Sequence, residues 1–281
     1  MSKITVIIPS LAEKDKHYLK VCVESLRATV DWDIIVVTNG GKDMNPIADL
    51  GIKGITKHLH TKQQGQCNAV DRGAEAAEGD CEWIFISNAD MYYAPGWNRN
   101  LRFDDLCFSP NLVEPTNNNG SAQPFLKLDA GFTLDEFDKE KVDEFIKEDQ
   151  IDAITSEPGF NFPFFMRMDV WRTIGGYDEK YDPWGSNSDT DLQTLVNIAG
   201  IIPKRYRDVL VYHFSNKSGT FDGTHQEEWQ RNFDHYRIKF GYTRDDEPKA
   251  DVWYNKNMVL EDKLIFHPDW EGKYLEMSNN G

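Results

Sequence analysis

Three short apolar runs, separated by helix-forming stretches, constrain the fold of this chain more than any other feature. Ile4–Ile8 is β-branched throughout, Asp33–Thr38 reads Asp-Ile-Ile-Val-Val-Thr, and Trp83–Ser87 reads Trp-Ile-Phe-Ile-Ser. Between them, Tyr18–Ala28 carries apolar residues at helical spacing, and residues 66–78 are Ala-rich with Gly79 placed to close a helix. Strand, helix, strand, helix, strand predicts βαβ units, hence a parallel sheet with right-handed crossovers. Ligands of such sheets sit beyond the carboxyl ends of the strands. Chemistry is therefore expected at Pro9–Leu11, Asn39–Gly41 and Asn88–Asp90.

The 281 residues suit one large α/β domain or two small ones, at roughly 100–200 residues per domain. Residues 109–132 are rich in Pro, Asn and Gly and predict a loop or an excursion from the sheet. Residues 134–149 set Leu134, Phe137, Val142, Phe145 and Ile146 among acids, the pattern of an amphipathic surface helix. Residues 159–215 return to apolar segments, broken by a polar, Gly-containing stretch at 182–191. A helix is expected to run to about Phe240, and residues 241–281 to form a C-terminal extension packed on a domain of residues 1–240.

Charge and cysteine usage narrow the class. With 31 Lys and Arg against 47 Asp and Glu, the net charge is −16. This argues against a nucleic-acid partner held by a basic surface, and leaves any anionic ligand to local devices such as a metal ion or a helix N-terminus. No stretch approaches the ~20 apolar residues of a membrane span. Cys22, Cys67, Cys81 and Cys107 are scattered, without a CxxC pair or a secretory signal, so free thiols and a cytoplasmic location are expected.

Three clusters carry chemistry-bearing groups. Asn88-Ala89-Asp90 ends a buried strand, where a carboxylate can hold a divalent cation against a diphosphate, although an Asp also commonly opens a turn there. Trp184-Gly185-Ser186-Asn187-Ser188-Asp189-Thr190-Asp191 opens a helical pattern. Its acids suit either a helix cap or, at Asp189, a general base beside an aromatic platform and a close backbone approach. Val209-Leu210-Val211-Tyr212-His213 ends in an imidazole, a common ligand of Mn²⁺-like ions and also a common structural residue, before Ser215-Asn216-Lys217, whose lysine suits a phosphate or solvent.

In order and spacing these motifs resemble the GT-A glycosyltransferases, especially the inverting family 2 enzymes and the related β-galactosyltransferase-type catalytic domain. The resemblance runs from Thr5-Val6-Ile7-Ile8-Pro9-Ser10 to about Tyr236. Asp33–Gly41 matches the second strand and its uracil-contacting turn, and Asp71-Arg72-Gly73 with Ala77-Glu78-Gly79 the helix before the metal strand. Asn88-Ala89-Asp90 falls at the family's Asp-x-Asp. Gly175-Gly176-Tyr177-Asp178-Glu179, Trp184-Gly185 and Ser188-Asp189-Thr190-Asp191 fall at the acceptor-side block ending in Glu-Asp-x-Asp. Asn88 and Ser188 stand where the family usually carries acids.

The resemblance implies a mixed, mostly parallel α/β sheet flanked by helices, and an inverting enzyme that moves a sugar from a UDP-sugar to a saccharide or other hydroxyl acceptor. Asp90 and His213 would hold Mn²⁺ or Mg²⁺, and Asp189 would be the base. Pro9, Ser10, Leu11, Asn39, Asp71, Asn88, Ala89 and Lys217 would line the donor, and Trp184, Gly185 and Asp191 the sugar and acceptor. A nucleotidyltransferase would share the nucleotide-binding half, but Pro9-Ser10-Leu11-Ala12-Glu13 lacks the Gly-rich basic loop such enzymes usually carry. A non-catalytic sugar-binding module is the other alternative, favoured by the missing acids at 88 and 188.

Overall fold

Alternation along the first strands decides the layering of the molecule. In β1 (Ile4–Ser10) and β2 (Asp33–Asn39), Val6, Ile8, Ile34 and Val36 face one apolar core, while Ile7, Ile35 and Val37 face a second core across the sheet. Every residue of β1 is buried, as a central strand covered on both faces requires. The computed structural model describes residues 3–40, 46–77, 79, 81–116, 126–148, 156–215, 217 and 224–240. The expected extension over 241–281 lies outside these residues, as do Gly41, Glu78 and Asn216.

Helix α1 (Ala12–Arg27) buries Leu19, Cys22, Val23 and Leu26 in the first core. The short α2 (Pro46–Asp49) leads to β3 (Lys57–Thr61), a polar edge strand parallel to β2. Helix α3 (Gln66–Ala76) lays Cys67, Ala69, Val70 and Ala74 on the second core and leads to β4 (Trp83–Ile86), which pairs parallel with β1. The three expected strands and both helices are thus present. Helix α3 closes at Ala77, two residues before the left-handed Gly79 expected to close it.

The second half corrects the expectation for the middle of the chain. Residues 107–115 form β6 (Cys107–Pro115), nine consecutive buried residues, rather than a loop. Its turn-forming residues are tolerated because Pro110 and Asn111 flank a register shift against β10 (Lys204–His213), where a missing ladder hydrogen bond costs least. The amphipathic helix is α4 (Lys139–Glu148), shorter than residues 134–149. The Asp138 side chain accepts from the Lys141 N–H and starts the helix after Leu134 and Phe137.

The sheet is completed by β5 (Met91–Tyr92), β7 (Leu126–Leu128), β8 (Ser156–Pro158) and β9 (Phe164–Arg167). Helices α5 (Met168–Ile174), α6 (Ser188–Ile198) and α7 (Gln226–Phe240) cover the second face, and α7 runs to Phe240, the last described residue. Strand order is β3-β2-β1-β4-β9-β6-β10-β5, with β9 antiparallel to both neighbours. An aromatic ladder crosses that joint. Phe85 stacks on Phe165 (4.0 Å between centroids), Phe165 on Phe108 (4.8 Å) and Phe108 on Tyr206 (4.5 Å). Such cross-strand pairs fix register between strands that are distant in sequence. All four cysteines are buried free thiols, and no helix among the described residues is long and apolar enough to cross a membrane.

Gly73 sets how closely α3 approaches the sheet. A Cβ placed there would lie 2.4 Å from Ile7 Cγ2. Gly73→Ala is expected to destabilise the protein by about 1–3 kcal/mol through overpacking, read as a lowered urea midpoint with an unchanged slope.

Candidate active site

Strand pairing builds the first cluster. Asp90 directly precedes β5, which runs antiparallel to the end of β10 with Met91 opposite His213. Asp90 Oδ1 therefore lies 3.4 Å from His213 Nε2, and the Phe214 N–H donates to the Asp90 carbonyl. His213 Nδ1 is 3.0 Å from Glu114 Oε1 on β6, and Lys127 Nζ on β7 donates to Glu114 Oε2 at 2.9 Å. The sequence reading missed Glu114 because it placed residues 109–132 outside the sheet. The signal was a lone acid in the apolar run Leu112-Val113-Glu114.

These charges tune one another. Burial opposes charge on His213, but Asp90 and then Glu114 outweigh it and hold the imidazole up to about 10. Burial likewise disfavours the Asp90 carboxylate, yet His213 outweighs it and keeps Asp90 below the ordinary range; His213 and Lys127 do the same for Glu114. The Lys217 N–H donates to Asp90 Oδ2 at 3.3 Å, and its ammonium lies 3.2 Å from the Phe132 ring centre. Burial lowers the Lys217 pKa, against the pull of Asp90 and Glu136.

The segments expected to line the donor lie at the strand ends and the start of α3. Ser10 Oγ donates to Asp15 at 2.5 Å, and the Leu11 N–H donates to the same carboxyl, which burial pushes up to about 6. Pro9 pairs with Val37 within the sheet. The Asn39 amide donates to the Ser10 carbonyl at 3.1 Å and accepts from the Gly65 N–H at 3.0 Å, tying β1, β2 and the start of α3 together. The Asn88 carbonyl accepts from Ser87 Oγ, and Ala89 is buried in the first core. Asp71, half-buried, accepts from the Tyr177 N–H, and desolvation pushes it up to about 8.

The second cluster lies at the start of α6. Gly185 turns the chain at φ +68°, and Asp189 stands in the first turn of the helix with a partly exposed edge. The Tyr177 hydroxyl donates to Asp189 Oδ1 at 3.1 Å, so one tyrosine links Asp71 to Asp189. Burial raises Asp189 to about 7 despite the Tyr177 and Ser188 hydrogen bonds. Asp191 points elsewhere. It is wholly buried, accepts from Tyr181 at 3.0 Å and pairs with Lys239 at 2.8 Å. The two acids therefore do not share a site, and Asp191 has the setting of an interior anchor. The Trp184 ring stacks on His225 at 3.5 Å, with Lys14 5.2 Å from its centre, so the expected sugar platform has one face covered. No hydrogen bond or ion pair among the described residues joins Asp189 to the Asp90–His213 cluster.

Against known proteins, residues 5–101 match the family described as glycosyl transferase family 2. No curated protein sequence matches the chain. Among solved structures, GalNAc-T7 with UDP, GalNAc and Mn²⁺ is 15% identical, with TM-score 0.52, covering 76% of this chain and 44% of that one. The mannosyltransferase PcManGT of Pyrobaculum calidifontis, with GDP-Man and Mn²⁺, is 14% identical (TM-score 0.51; 84% and 62% covered). S. aureus TarS 1-349 is 12% identical (TM-score 0.52; 98% and 81% covered). The chain thus spans about half the length of the first two. The fold is that of the GT-A glycosyltransferases, and the family match covers residues 5–101 of the chain.

Lys239 is the cation beneath the Asp189 turn. Lys239→Met would leave Asp191 buried without it, and is expected to cost about 3–5 kcal/mol in urea unfolding. An unchanged midpoint would show that the pair contributes nothing to stability.

Proposed function

We propose that the protein is an inverting, metal-dependent glycosyltransferase that uses a UDP-sugar and a saccharide or other hydroxyl acceptor. The observation that carries this reading is the pair of buried Asp90 and half-buried His213 at the carboxyl edge of the sheet, with Nε2 turned to the carboxylate. One carboxylate and one imidazole fit Mn²⁺, and fit Mg²⁺ less closely, with the diphosphate oxygens completing the shell. Among the described residues, no group of three or more His, Cys, Asp or Glu is arranged to hold a metal ion. When bound, the ion supplies Lewis-acid neutralisation of the leaving diphosphate.

The chain's own residues do the rest. The Ser10–Leu11 turn, Asn39 and Ala89 border the nucleoside side of the edge. Asn39 keeps one amide hydrogen and one oxygen lone pair beyond its two backbone bonds, enough to donate to and accept from a uracil edge. Lys217 adds positive charge beside Asp90. Asp189 takes the proton of the acceptor hydroxyl as the oxygen attacks the anomeric carbon and the sugar–phosphate bond breaks on the opposite face. A carboxyl near 7, oriented by Tyr177, suits that task, because a base works best with a pKa close to the working pH. Asp191, with Lys239, holds the turn from beneath.

The test is hydrolysis and transfer with a panel of nucleotide sugars, beside calorimetry of UDP binding with and without Mn²⁺. UDP-sugars are expected to turn over, and Asp90→Ala to abolish metal-dependent UDP binding with the fold intact. EDTA-insensitive UDP binding would overturn the metal assignment, and stabilisation by GDP alone would overturn the choice of base.

Asp189 carries its own expectation. Turnover should rise with pH through about 7 as the carboxyl ionises, because the deprotonated form is the active one. Asp189→Asn is expected to lower turnover at least ~10²-fold, to erase that rising limb, and to leave UDP binding unchanged. Near-normal turnover by the variant would remove Asp189 from the mechanism.

A further inference from the structure

We propose that Glu114 is a positioning residue, held by Lys127, that fixes the His213 ring with Nδ1 as the protonated nitrogen and Nε2 as the ligand nitrogen. The inference rests on the donor-site reading above and assigns a part of that site outside the metal pair itself.

Glu114 is 2% exposed, near the end of β6, and both of its oxygens are engaged. Oε1 lies 3.0 Å from His213 Nδ1, and Oε2 lies 2.9 Å from Lys127 Nζ. The supporting lysine is set by backbone register, since the three-residue strand β7 pairs with β6 so that Lys127 stands opposite Glu114. Burying an acid is costly unless it is paired, so this arrangement persists only with both partners in place.

The chemistry follows from where the imidazole proton sits. Two carboxylates flank the ring, Asp90 at Nε2 and Glu114 at Nδ1. If Asp90 acted alone, the neutral ring would keep its proton on Nε2 to donate to Oδ1, and the lone pair would point away from the carboxylate. With a carboxylate on each nitrogen the metal-free ring is held by both; Glu114 is the nearer, at 3.0 Å against 3.4 Å, and would keep the Nδ1 proton in place when Nε2 gives up its own to serve as a ligand. A second carboxylate also makes the ring a better electron donor.

Glu114→Gln keeps the shape and removes the charge, and a glutamine can turn its NH₂ to Nδ1 and release the proton to Nε2. The measurements are the Kd for Mn²⁺ in the presence of UDP, by calorimetry, and the nitrogen coupling of a coordinated imidazole, by pulsed EPR of the Mn²⁺–UDP complex. Glu114→Gln is expected to weaken Mn²⁺ roughly 10–100-fold and to diminish the imidazole coupling. Wild-type affinity with full coupling in that variant would overturn the proposal. If Glu114→Gln fails to fold, Lys127→Met carries the test, where a several-fold weaker Mn²⁺ supports the proposal and wild-type affinity overturns it. Failure of the underlying reading looks different, because the wild-type complex would then show no imidazole coupling, or Asp90→Ala would bind Mn²⁺–UDP undiminished.

Discussion

A carboxylate taken out of water must be given a cation, a set of hydrogen-bond donors, or a proton, and this chain carries a large excess of acids. The structure divides them accordingly. Asp191 has Lys239, Asp208 has Arg102, and Glu114 has Lys127 and His213. Asp15, Asp71 and Asp189 have hydrogen-bond donors only, with no Lys, Arg or His ion pair among the described residues, and burial pushes all three upward. The first group holds elements together. The second group retains protons that can be moved near neutral pH, and Asp71 and Asp189 both keep a partly exposed edge, whereas Asp15 is buried. An ion-paired acid and one held by hydrogen bonds alone are thus told apart by what surrounds them, even when they sit two residues apart on one helix.

That division explains what could be read in advance. Parallel strands, helix faces and the carboxyl-edge location of Asp90 follow from local patterns, because a strand buried on both faces must be apolar along its length. His213 was legible for the same reason, as a polar residue ending an apolar run. Glu114 was not, because Pro110, Asn111 and Pro115 carry turn propensity, and only the neighbouring strands β10 and β7 make a strand of them. The separate surroundings of Asp189 and Asp191 were equally hidden. Their spacing suggests a shared site, and the partners that separate them come from Tyr177, Tyr181 and α7.

The joint at β9 relates the two halves of the site. Parallel strands β1 to β4 on one side, and β6 with β10 on the other, meet through an antiparallel strand whose Phe165 is stacked on both neighbours. Asn39 and the N-terminus of α3 belong to the first half, and Glu114 and His213 to the second. Asp90 is the residue through which they touch, leaving β4 and entering β5 against β10. Side chains around the joint are aromatic and closely stacked, so a shift of one half against the other is resisted by packing rather than by charge.

The pairing that brings Glu114 to His213 spans 99 residues of chain, and the Lys217 to Asp90 contact spans 127. Contacts of such sequence separation form late, because much of the chain must be ordered before the closing entropy is recovered. The Asp90–His213 pair therefore has no counterpart in a partly assembled sheet, in contrast to the β1–β2–α3 region, which is local. A nucleotide or ion that needs both Asp90 and His213 binds only the completed molecule and pulls the folding equilibrium toward it by mass action. In synthesis, the β1-to-β4 residues precede those of β10, so both members of the pair are present only once β10 has been made.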